Sequence, residues 1–360
     1  MLASAKRFAA AGVDLAAYSI PEVIADMETV RGFLGHTRID LLSESYGTRV
    51  AQIYAYSHPM NIRRSVMIGV NPPGHFVWEP GMIDTQIEYY SRLFAEDESA
   101  RRRSSDLAQS MRRVSQAMPR YWLFFAIDPG KVKIMTHVLL YQRSTAAMAF
   151  DAWLGAEQGD PSGLALMSMA YDLMISKIFV WGDLLAKGGG ADFDSGRDYQ
   201  DLRAPASIIG SPMSLLIWQP ASLAWPIEPI SEELRRVHRT NVETLLVNGS
   251  IDFSTPVQYG SQELLPFLAK GRLVTLAEFG HVGDFWKLNP QAADRLLTSF
   301  YGSGAADDSL FGYVPMNFKA PVSFSVLFKI GVGIGLGLIA VVILLMVLFI
   351  LRRRDKMGTK

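Results

Sequence analysis

The segment Leu42-Ser43-Glu44-Ser45-Tyr46-Gly47-Thr48 sets a serine where an apolar stretch, 38–42, gives way to a helical pattern over 47–57. A serine on a tight strand-to-helix turn projects its hydroxyl above a sheet, and such a turn favours small neighbours. Gly47 meets that need after Ser45, and Ser43 meets it less well before. A second segment, Val247-Asn248-Gly249-Ser250-Ile251-Asp252-Phe253-Ser254-Thr255-Pro256, ends an apolar strand in a turn that carries Asp252, with a helix expected from Pro256. Read alone, Asp252 could simply cap that helix. A third, Leu276-Ala277-Glu278-Phe279-Gly280-His281-Val282-Gly283, ends a strand in a histidine with glycine on both sides nearby.

Together the three gain meaning from their order, Ser45, Asp252, His281, each at the C-terminal end of an expected strand. Neutral serine is a poor nucleophile near neutral pH, so His281 would accept its proton. Asp252 would fix the imidazole tautomer and stabilise the imidazolium that forms. The backbone N–H of Tyr46 would point at the developing oxyanion. His36, His58, His75, His137 and His238 lack comparable surroundings and are expected to be structural or exposed. No His/carboxylate spacing reads as a metal site, and no cofactor is expected.

These residues need a parallel sheet to bring them together. Ser19-Ile20-Pro21-Glu22 suits a helix start, and apolar residues recur at helical spacing to Leu34, with Gly35 as the stop. Strands are expected over 38–42, 65–70, 243–247 and 272–277, and a closing helix over 290–301. Residues 71–235 break the alternation with a helical, methionine- and aromatic-rich stretch. Pro72-Pro73-Gly74, Asp128-Pro129-Gly130, Gly159-Asp160-Pro161 and Gly188-Gly189-Gly190 are read there as loop punctuation. The expected organisation is a core over 1–70 and 236–302, a helical lid over 71–235, and a linker over 303–329.

The blocks around Ser45, Asp252-Phe253-Ser254-Thr255-Pro256 and Phe279-Gly280-His281 resemble the proline iminopeptidase and tripeptidyl aminopeptidase branch of the α/β-hydrolases, peptidase family S33, over roughly residues 15–300. The resemblance implies an α/β-hydrolase fold with a helical lid, and a serine peptidase that releases residues from peptides with a free N-terminus. It also implies acidic lid residues that receive the substrate amine, with Glu157, Asp160, Asp172 and Asp183 as open candidates. An esterase of the same fold is the alternative. The family has several strands and a His-Gly-Gly-Pro-Gly-like loop before its nucleophile, and that loop supplies a second oxyanion donor. Here 44 residues precede Ser45, and no glycine run follows His36. An N-terminally truncated chain is therefore expected, without about half the sheet. Losing one oxyanion donor costs roughly 3–4 kcal/mol of transition-state stabilisation, so a catalytically impaired binding protein is a further alternative.

The chain has 360 residues, 35 basic and 35 acidic, which argues against a dominant nucleic-acid role. It has no cysteine, which excludes disulfides, thiolate metal sites and cysteine nucleophiles. Its apolar share of 49% is high for a soluble enzyme, and part of the excess is one run. Ile330 to Leu351 holds 22 residues without a charge, about 33 Å of helix and enough to cross a bilayer core. Residues 352–360 then carry five basic side chains against Asp355, leaving the rest of the chain with a deficit of four. A transmembrane helix over 330–351 with a cytoplasmic basic tail over 352–360 follows, the body facing the extracytoplasmic side. That orientation needs an export signal, which Met1 to Ile20 does not offer, so a tail-anchored protein facing the cytoplasm is the alternative. Gly331/Gly335 fit small-xxx-small spacing for a helix–helix dimer.

Overall fold

The hydroxyl of Ser19 accepts the Glu22 N–H at 3.4 Å and starts helix α2, Ile20–Phe33, which follows a first helix α1, Leu2–Ala10. Gly35, in the left-handed region at φ 73°, turns the chain into strand β1, Ile39–Glu44. Helix α3, Tyr46–Ser57, and strand β2, Ile62–Ile68, complete the first βαβ step. The structure, a computed structural model, describes residues 1–357, and the side chains of residues 1–346.

After a long insertion the chain returns to the sheet as β5, Glu243–Gly249, and β6, Gly271–Leu276. The four strands lie parallel in the order β1-β2-β5-β6, with Leu42 opposite Val66, Val66 opposite Leu245 and Leu245 opposite Arg272. The central strands are apolar over Val66–Ile68 and Leu245–Val247, where both their faces are covered. Val66, Ile68, Leu245 and Val247 pack on Leu296 and Phe300 of helix α13, Pro290–Ser303. Met67 and Leu246 turn to the other face and join Val50, Ile53 and Tyr54 of α3. Edge strand β1 alternates instead, burying Leu41 and Ser43 while Leu42 and Glu44 face outward.

Between β2 and β5 lie α4 (Pro80–Glu96), α5 (Glu98–Arg101) and α6 (Leu107–Gln116), then a hairpin of β3 (Tyr121–Trp122) and β4 (Phe125–Ala126). Helices α7 (Pro129–Leu139), α8 (Arg143–Glu157), α9 (Ser162–Met174), α10 (Trp181–Asp192) and α11 (Pro212–Ala224) follow. This insertion has its own core, built on Phe94, Met111, Phe150, Trp153 and Leu164. It is tied to the sheet domain by a fully buried ion pair, Arg49 Nη1 to Asp192 Oδ1 at 2.7 Å. Burial opposes the Asp192 charge, but Arg49 and the Phe76 and Gly74 amides hold its pKa below the ordinary carboxylate value.

Three sequence expectations change here. Gly188-Gly189-Gly190 is no loop but lies inside α10, where glycine permits close packing. A Cβ at Gly190 would stand 3.0 Å from the Glu228 carbonyl oxygen, and one at Gly189 3.2 Å from Ile227. The helix expected from Pro256 does open, at 257, but it is wound wide over Tyr259–Leu264 and tight over Leu265–Phe267 rather than as a regular α-helix. The expected linker is a strap rather than a free tether. Phe311 packs on Phe279, while Met316 and Phe318 enter the insertion's core. The final helix, α14, therefore starts at Phe324 and runs to Met357, because Ser325 and Phe328 are buried against the insertion. One stretch of it, Phe324–Met346, is long and apolar enough to cross a membrane. The expected basic tail, 352–360, lies outside the residues whose side chains are described.

Candidate active site

Ser45 occupies the turn from β1 to α3 with φ 48° and ψ −118°. A non-glycine residue in such a region stores on the order of 1–3 kcal/mol of strain, which neighbouring structure must offset. Two bonds do so: the Ser45 N–H donates to the Ile68 carbonyl at 2.9 Å, and the Ser43 hydroxyl to the Val66 carbonyl at 3.0 Å. Ser43 is thus accommodated before Ser45, its hydroxyl satisfied in a buried position. The need for a small residue at 47 is weaker than the sequence suggested, since a Cβ there would meet the Ser43 Cβ at an ordinary 3.8 Å. Tyr46 is the first residue of α3, so its N–H has no acceptor within the helix and adds to the positive N-terminal end.

The structure brings the three sequence-derived residues together. His281 Nε2 lies 2.8 Å from the Ser45 hydroxyl, and His281 Nδ1 lies 2.9 Å from Asp252 Oδ2. Asp252 is 1% exposed and His281 8%. The Asp252 carboxylate also accepts the Ser254 N–H at 2.9 Å, the Thr255 N–H at 2.8 Å and the Thr255 hydroxyl at 2.9 Å. It therefore orders its own loop as well as the imidazole. The four strands of the main sheet run parallel, so the ends of β1, β5 and β6 present Ser45, Asp252 and His281 at one edge of the sheet.

Several contributors escaped the sequence reading. Gly69, just after β2 with φ 65°, lies under the imidazole: a Cβ would stand 2.9 Å from His281 Cε1 and 3.1 Å from the Thr255 hydroxyl. Nothing in the sequence around Gly69 marks it, because its contacts come from residues about 190 and 210 positions on. The insertion also reaches in. The Tyr141 carbonyl accepts the His281 N–H at 2.6 Å, and the Tyr141 ring meets the imidazole edge-on at 5.3 Å. Burial pushes the Tyr141 phenol up to about 12. The Trp78 indole N–H donates to the Ser254 carbonyl at 2.9 Å. Asp284, raised by burial, accepts the Gly280 N–H at 2.8 Å and the Arg143 N–H at 3.1 Å, and so braces the histidine loop.

Beside these stands His137, fully buried among the rings of Trp78, Phe253 and Tyr141, with neither ring nitrogen hydrogen-bonded. Burial alone holds its pKa down at about 3. The remaining histidines lie elsewhere. His58 packs edge-on against Tyr54, His75 meets Glu263 and stacks on Tyr259, His238 stacks on Tyr56, and His36 is exposed. The acidic candidates of the insertion are all ion-paired: Glu157 with Arg113, Asp160 with Lys329, Asp172 with Lys131 and Asp183 with Lys187. Burial raises the Tyr46 phenol; the Asp183 charge adds to that and the Arg49 charge opposes it. On the other side of the elbow a groove of about 370 Å³ runs along the outer edge of β1, lined by Met27, Leu42 and Glu44 among others.

A strained serine after a parallel strand, a histidine after the last strand and an aspartate between them in sequence make one arrangement. The chain has the α/β-hydrolase fold. No family model matches it, and no curated protein matches it either. Among solved structures it is similar to MGS-M2, an α/β-hydrolase enzyme from a Medee basin deep-sea metagenome library, at 13% identity over 81% of this chain and 74% of that one, with a TM-score of 0.37. It is similar to an esterase from Exiguobacterium antarcticum at 15% identity, covering 80% and 76% of the two chains, with a TM-score of 0.34. A Bacillus megaterium epoxide hydrolase is similar at 14% identity, covering 81% and 78%, also with a TM-score of 0.34.

Proposed function

We propose that this protein is a membrane-anchored serine hydrolase that works through an acyl-enzyme. The observation that carries the reading is the unbroken relay from the Ser45 hydroxyl through both nitrogens of His281 to a buried Asp252. In this reading Ser45 Oγ attacks an acyl carbon as its proton passes to His281 Nε2. The Tyr46 N–H faces the oxyanion of the tetrahedral intermediate. His281 then returns the proton to the departing amine or alcohol, and water repeats the sequence to free the acid. In the same reading α14 crosses a bilayer, with the basic end of the chain cytoplasmic and the hydrolase body on the other side.

Within the class we favour an aminopeptidase acting on peptides with a free N-terminus. The S33-like sequence blocks support it. An acidic residue of the insertion, among Glu157, Asp160, Asp172 and Asp183, would receive the substrate ammonium. Labelling by a fluorophosphonate probe, lost in Ser45→Ala, tests the nucleophile; an unlabelled wild-type protein refutes it. Aminoacyl and peptidyl arylamides with free and blocked N-termini test the peptidase reading. Equal cleavage of both, or cleavage of short-chain esters alone, refutes it in favour of an esterase.

A further inference from the structure

The insertion and α14 share an apolar boundary that the reaction does not use. Along α14, Phe328 is buried, Val332 and Gly335 are half-buried against the insertion, and every side chain from Leu336 to Met346 is exposed. A groove of about 570 Å³ opens at this boundary between Phe124, Phe125, Leu166 and Met169 on one side and Gly331 and Gly335 on the other. Leu173 continues the Leu166–Met169 stripe one turn further along α9 and is exposed.

The hairpin beside the groove is built against the usual rule for water. Its two-residue turn is Leu123-Phe124, and Leu123 takes φ 53°, a conformation that hairpins normally give to asparagine or glycine. These two side chains are 63% and 69% exposed, with exposed Arg120 and Tyr121 just before them. An apolar tip flanked by a tyrosine and a long cation is the composition of a membrane–water boundary.

Length decides the depth. The last charged side chain before the span is Lys329, paired with Asp160 at 2.6 Å. If the hydrocarbon core began only beyond the insertion, at Leu336, the 16 residues to Leu351 would cover about 24 Å, short of a core of about 30 Å. If the core begins at Ile330, the apolar run is long enough, and the hairpin and groove stand beside its outermost turns.

We propose that the Tyr121–Phe125 hairpin and the Leu166–Leu173 face of α9 are immersed in the bilayer that α14 crosses, the groove between them being filled by lipid acyl chains. This rests on the reading of α14 as a membrane span. The insertion that covers the candidate active site is then itself a membrane-dipping element, held at fixed depth by the Asp160–Lys329 pair.

The absence of cysteine makes the test direct. Single-cysteine variants Phe124→Cys, Leu344→Cys and Met60→Cys of the full chain carry an NBD label in phosphatidylcholine vesicles. Each is quenched in turn by aqueous iodide and by lipids with a doxyl group near the headgroup or deep in the chain. At Phe124 we expect strong shallow-doxyl quenching, with iodide quenching about five-fold or more below that at exposed Met60. If Leu344 is lipid-protected while Phe124 is open to iodide, the inference is wrong and the anchor stands. If Phe124 is shielded from iodide and lipid alike, a second protein copy covers the groove and the inference is wrong. If iodide reaches Leu344, the span itself is refuted and the inference falls with it.

Discussion

Replacing His137 with phenylalanine should remove about 2 kcal/mol of acid sensitivity. In the folded chain burial holds the imidazole neutral, with a pKa of about 3 against an ordinary value of 6.5. The unfolded chain therefore binds a proton that the folded chain refuses, so stability falls as pH drops below 6.5 and continues to fall until about 3. Between pH 7 and pH 5 the linkage integral for that one group comes to about 2 kcal/mol. Asp192 titrates in a lower window, and both proteins retain it, so it cancels in the comparison. At pH 7 the two unbonded ring nitrogens are lost as well, and unsatisfied buried groups cost about 1–3 kcal/mol each; a ring slightly too large for the Trp78–Phe253–Tyr141 cage works against that gain. Denaturant titrations of detergent-solubilised protein, followed by tryptophan fluorescence at the two pH values, give the numbers. Equal acid losses in the two proteins, to within about 0.5 kcal/mol, would show that water reaches the ring and that the burial argument is wrong.

Two further substitutions test other parts of the arrangement. Gly69→Ala drives a methyl group into the imidazole edge at 2.9 Å and strains a backbone at φ 65°; displacing His281 should cut kcat about 100-fold or more, while circular dichroism shows the fold retained. Asp192→Asn leaves the buried Arg49 charge unpaired and should destabilise by roughly 3–5 kcal/mol. Because Asp192 has a depressed pKa, the stability it contributes is present above about pH 4 and lost as the pH falls through its folded value. The variant should accordingly show a flatter acid limb in the same titrations.

What could be read from the sequence was whatever is encoded locally. The short apolar runs inside β2 and β5, Val66–Ile68 and Leu245–Val247, need no partner to be recognised, since strand segments covered on both faces are apolar. Ser45, Asp252 and His281 were legible because each follows a strand-like stretch, and their order is itself informative. Gly69, Tyr141 and His137 were not, because their roles arise from contacts between segments far apart in the chain. The glycine triplet at 188–190 misled for the same reason: its small size serves packing against Ile227 and Glu228, not a turn. The onset of α14 at Phe324 rather than 330 depends on Ser325 and Phe328 meeting the insertion, which hydropathy alone does not register.

The 2.6 Å bond from the His281 N–H to the Tyr141 carbonyl sits between the end of α7 and the start of α8. A Cβ at neighbouring Gly280 would stand 2.6 Å from that same oxygen, so the two loops are fitted to each other as backbone against backbone. The proposed general base is thus mounted partly on the insertion. A chimaera that exchanged residues 71–235 for a foreign cover would inherit a loosened histidine unless it reproduced this one carbonyl. Engineers who trim the cover to admit larger substrates should keep the α7–α8 junction as part of the chemistry.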